Sequence, residues 1–195
     1  MLSFLRRRSP FEKARVPAHL VAQYGRLRAL APSNPPAPWL AIGIVSVGGL
    51  THVGFGDRTD LLLVVSASGR GVLDCRSGAN LARDDAASFP DPGLLTAAGV
   101  GPLEGDDVRV AGLFGGGLSR QTEDGWTVEA LPLTWPDERL VLCPPSQTMF
   151  WAPEGQADPT HLPGSATSLV AYGFSPTGRT LIVATSSDVA IFHRP

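Results

Sequence analysis

The sequence predicts an all-β domain built from a repeated unit and preceded by a helical arm. Two observations carry this prediction. Gly54-Phe55 through Leu73 aligns without a gap on Gly173-Phe174 through Phe192, 119 positions downstream. From Trp39 onward, short apolar runs alternate with turn residues, which is the pattern of strands in a sheet-rich fold. Identities at Leu50/Leu169, Gly54/Gly173, Phe55/Phe174, Leu62/Leu181, Val64/Val183 and Ser68/Ser187 anchor the alignment. Leu63/Ile182, Val72/Ile191 and Leu73/Phe192 are its apolar equivalents.

Taken in order, the elements begin with Ser9-Pro10-Phe11-Glu12, whose spacing is that of a capping box and predicts a short helix. Pro17 interrupts it. Leu20, Val21, Tyr24 and Leu27 then recur at helical spacing, which predicts an amphipathic helix over about 17–30, ended by Pro32. The run PSNPPAP from Pro32 to Pro38 is a stiff connector, so the arm is taken as residues 1–37 and the β-domain as 38–195. Predicted strands follow as WLAIGIVSV, HVGFG, DLLLVVSAS, GRGVLDC, VRVAGLF, WTVEALPL, RLVLC, MFWA, LVAYGF, TLIVATS and DVAIF.

Composition bounds the function classes. The 195 residues form one domain of ordinary size, long enough to bury about 70% of the unfolded surface. A formal net charge of -2 and scattered arginines give no field for a polyanion, so nucleic acid is not an expected partner. Met1 to Leu5 is too short for the apolar segment of a leader, and no run approaches the ~18 apolar residues of a membrane span. Cys75 and Cys143, each alone on its strand, fit reduced thiols, so a cytoplasmic location is expected, with a disulfide between the two as the alternative.

Landmarks also recur with a period near 40. Phe55 precedes Asp57-Arg58, Trp135 precedes Pro136-Asp137, and Phe174 precedes Pro176-Thr177-Gly178, each before a turn and an apolar run. Gly105-Asp106-Asp107 with Val108 to Phe114 supplies a degenerate unit between the first two. Periods of this size with two-residue alternation belong to propeller blades. Leu50 to Asp84 and Ser168 to Arg194 resemble WD40-type β-propeller blades in their order of strand, FSPDG-like turn, apolar strand, small-residue turn and third strand. They depart from that pattern in lacking a GH dipeptide and in having Leu73-Asp74 and Phe192-His193 at the WD position. The resemblance implies about four short sheets in a small propeller-like domain, with Trp39 to Val47 joining the C-terminal sheet to close the ring. An irregular β-sandwich or barrel is the alternative.

Chemistry is sparse in the sequence. There is no GxSxG elbow, HExxH or phosphate-loop pattern. Gly115-Gly116-Gly117 and Gly99-x-Gly101 read as strand-end turns, and Glu104, Asp106 and Asp107 as a solvated turn, so neither metal nor cofactor is expected. His52 with Asp74 or Asp57, and His193, form the candidate catalytic set of a small hydrolase or lyase at a central mouth. His161 is the remaining histidine of the β-region. Trp126, Trp135, Phe150 and Trp151 crowd the second half near Pro-rich loops, and tryptophan is enriched in binding hot spots. The reading that follows is a non-enzymatic protein-binding module, of which an inhibitor or immunity-type protein is one specific version.

Overall fold

The computed structural model describes residues 17–86, 89–134, 137–149, 151, 159–163 and 169–195. The chain is mostly β, with four antiparallel sheets and one N-terminal α-helix. The first repeat gives β2 (Leu50–Phe55), β3 (Leu61–Ser66) and β4 (Gly69–Asp74), a meander to which β5 (Ala79–Asp84) adds. The second gives β12 (Leu169–Phe174), β13 (Thr180–Thr185) and β14 (Asp188–His193), to which the early strand β1 (Leu40–Ser46) adds. All six repeat boundaries fall 119 positions apart. The irregularities repeat too: a register shift lies between Leu50 and His52 in one meander and between Leu169 and Ala171 in the other.

Two smaller sheets complete the β-body. One is β9 (Thr127–Thr134), β10 (Asp137–Cys143) and β11 (Thr160–His161); the other pairs β6 (Thr96–Ala98) with β7 (Asp107–Arg109). The expected strand VRVAGLF is split, since β7 stays in the two-stranded sheet while β8 (Ala111–Gly112) joins the edge of β2. The degenerate unit at 105–114 therefore divides between two sheets instead of building its own. Of the expected strand MFWA, Trp151 makes only an isolated bridge to Thr148, and Phe150 lies outside the described residues. The polar run of β5 went unread because Asn80, Arg83 and Asp84 mask its alternation.

The sheets stack through three apolar clusters, and the stacking repeats. Leu62, Val64 and Leu73 of the first repeat pack on Ile182, Ala184 and Ile191 of the second. Leu181, Val183 and Phe192, the counterparts of that first set, pack on Val128, Leu140 and Leu142 of the β9–β11 sheet. Leu63, Val65 and Val72, the counterparts of Ile182, Ala184 and Ile191, pack on Ala97 and Val108 of the β6–β7 sheet. Each sheet thus presents one kind of face forward and the other backward. Among the described residues no cluster joins the first sheet of this series to the last, and neither a closed barrel nor a closed propeller forms.

The helical arm covers the outermost sheet. After a turn of 3-10 helix, α1 (Val21–Ala29) buries Leu27 against Val141 and Cys143. Arg139 then donates to the carbonyls of Arg28 and Leu30, at 2.8 and 3.2 Å, fixing the helix end to β10. The expected helix at Ser9 lies outside the described residues. Within these residues no helix is long and apolar enough to cross a membrane.

Two glycines show why the repeat keeps its shape. A Cβ on Gly54 would lie 2.0 Å from the Arg109 carbonyl, and one on Gly173 would lie 2.6 Å from both Leu118 Cβ and the Ser119 carbonyl. The segment from Arg109 to Ser119 passes over both repeats at the same point. Only a residue without Cβ admits that approach.

Candidate functional site

The candidate catalytic residues do not form one constellation. His52 sits in β2, is 1% exposed and stacks on Phe114, with ring centroids 4.7 Å apart. Its Nε2 accepts the Phe114 N–H at 3.2 Å, which places the neutral ring's proton on Nδ1. Burial holds its pKa below the ordinary histidine value. Asp74 ends β4 and caps its own turn, accepting from the Arg76 N–H at 3.0 Å and from Ser77 Oγ at 2.7 Å. His193 ends β14 and bonds instead to Thr180. Asp57 is exposed in the turn after β2.

A polar network missed by motif reading joins the two repeats. Asp60, in the turn before β3, accepts hydroxyl bonds on one oxygen from Ser175 (2.7 Å), Thr177 (2.7 Å) and Thr180 (2.8 Å). With its proton given to Asp60, Thr180 Oγ1 is left to accept from His193 Nδ1–H at 3.0 Å. Burial pushes the Asp60 carboxyl up, but the three hydroxyl donors and the nearby His193 outweigh it and hold the pKa below the ordinary value. His193 is pulled down by burial, against the attraction of Asp60. Thr180 is fully buried, so this chain of bonds works as a clamp between sheets. Its trace in the sequence is a threonine at 180 where the first repeat has Leu61.

Beside this clamp opens a polar cleft of about 630 Å³ that includes Ser119, Glu123, Asp124, Thr177 and Arg194. Arg194 is committed there, bonding both Asp124 oxygens at 2.6 and 2.7 Å while its guanidinium lies over the Trp39 ring. Those bonds hold the Asp124 carboxyl well below its usual range.

The aromatic candidates separate into core and surface. Trp126 is 6% exposed and meets Trp39 edge to face at 5.7 Å, so its ring fills the interior and offers no surface to a partner. Trp151 is 59% exposed. Trp135 and Phe150 lie outside the described residues. Cys75, in the turn after β4, and Cys143, at the end of β10, are free and buried; burial pushes the Cys143 thiol up to about 11 and that of Cys75 higher still, so neither serves as a thiolate. Among the described residues no group of His, Cys, Asp and Glu is arranged to hold a metal ion, and Glu104, Asp106 and Asp107 are all exposed.

The surface feature that stands out is apolar. A groove of about 320 Å³ runs along the face of the C-terminal sheet, with Ala41, Gly43, Val183, Ala190 and Phe192 in its lining. Ile44 lines it and is 72% exposed. Sequence reading had assigned this strand to sheet closure only. Its signal was present in LAIGIVS, seven residues without a charge.

No protein-family model, curated protein or solved structure matches the chain.

Proposed function

We propose that this chain is a non-enzymatic protein-binding module, of the inhibitor or immunity type, that presents the apolar groove of its C-terminal sheet to a protein partner. The observation that carries this reading is the groove with Ile44 left in solvent along it. A contiguous apolar surface costs free energy in water and is retained where something covers it. The hydrolase or lyase alternative has less support, because His52, Asp74 and His193 have separate partners and His52 is closed off from solvent.

The module is also proposed to be a propeller-like arc related to WD40-type blades. Support comes from the coincident strand boundaries, the repeated register shift and the forward-to-backward stacking of equivalent faces. Affinity capture from native lysate with the tagged protein tests the binding reading, run beside Ile44→Lys. A stoichiometric protein retained by the wild type and lost by Ile44→Lys is the expected result. Capture of nothing, or capture indifferent to Ile44, overturns the reading.

A further inference from the structure

We infer that two copies of this chain pair edge to edge through β1, continuing the C-terminal sheet from one copy into the other. β1 is the end strand of its sheet, and among the described residues its outer edge meets no other strand. Such an edge offers a row of free N–H and C=O groups, and sheet proteins normally blunt it with charge, a bulge or a cover.

The repeat supplies an internal control. β5 occupies in the first meander the place β1 occupies in the second, and it carries Arg83 and Asp84. β1 contains no charged residue, and its Ile44 is apolar and 72% exposed. The register shift between Ala41 and Gly43 is a bulge that blunts the start of the strand and leaves Gly43 to Ser46 as its regular edge.

The same strand is suited to its own image. An antiparallel register centred on Ile44 sets Ile44 of one copy opposite Ile44 of the other on the groove face and Gly43 opposite Val45, with no like charges facing. A two-fold axis normal to the sheet produces this pairing. It leaves equivalent faces on the same side, so the two grooves meet in one apolar channel. A strand from another protein would have to match this length and freedom from charge, whereas the chain already carries one that does.

The inference rests on the binding reading for the channel, but its test is separate. Sedimentation of the full chain should give twice the monomer mass, falling to the monomer on dilution. Ile44→Lys should be monomeric at every concentration, with an unchanged circular dichroism spectrum and melting temperature. Ile44→Glu serves in the same way if the lysine variant fails to fold. A wild type that stays monomeric at the highest concentration it tolerates, or a folded lysine variant that remains a dimer, overturns the inference. A monomeric wild type with Ile44-dependent capture would remove the second copy and leave the binding reading. A dimer that captures nothing would do the reverse.

Discussion

At the scale of single residues, the interior of the second repeat is set by Phe174, which is 1% exposed and stacks at 5.6 Å on Trp39. Phe174→Ala should destabilise the protein by about 3–5 kcal/mol in urea denaturation, the usual cost of removing a buried ring. A near-neutral change would show that the ring is not in the core. The sequence made Phe174 legible through its partner Phe55, because an apolar identity across a repeat reports burial. It misplaced Trp126 for a related reason: a tryptophan near prolines looks the same whether its ring meets a partner or meets Trp39. Asp60 was invisible, since its three donors come from residues more than a hundred positions away. Asp60→Ala should cost about 2 kcal/mol or more, because bonds to a charged acceptor are the stronger kind. The pH dependence follows from the same groups. His52 and His193 have depressed values in the folded chain, so the unfolded chain takes up protons near pH 6.5 that the folded one refuses. Their contribution is therefore complete above about pH 6.5 and is lost as the pH falls through the folded values. Asp60 adds a second loss at lower pH, below about 4, as it too is protonated through its depressed folded value. Urea midpoints measured from pH 7 downward should fall, with a shallower first limb in His52→Gln. Flat midpoints between pH 7 and 5 would contradict this.

Elements obey the repeat more strictly than residues do. Gly54→Ala should cost about 1–3 kcal/mol by forcing a methyl group into the Arg109 carbonyl. Gly105→Ala, where the chain is open, should show only the penalty of a positive φ. Comparing the two melting temperatures checks the crossing of the 109–119 segment over β2. Both meanders were readable because alternation and turn residues survive in each copy. The two-stranded sheet and β11 were not, since two or three residues are too few for any period to show. The arm was read correctly as a helix near 17–30. Its docking on β10 through Leu27 depends on tertiary packing, which helical spacing alone leaves open.

For the whole molecule, the account makes one strong demand: the strand that begins the β-domain must complete the sheet that ends it. This pairing ties residues 40–46 to 188–193 across nearly the full chain, and everything proposed for the groove depends on it. The sequence anticipated the partnership because Trp39 to Val47 is an apolar run that belongs to neither repeat. It did not show that, among the described residues, the series of sheets stops short of a ring. Val45 and Val189 face each other in the β1–β14 register. The direct measurement is therefore a cross-link: Val45→Cys with Val189→Cys, oxidised at low protein concentration and mapped by mass spectrometry after digestion. An intrachain disulfide joining the two peptides is the predicted result. Thiols left free at both positions 45 and 189 of a folded protein, beside those of Cys75 and Cys143, would contradict it.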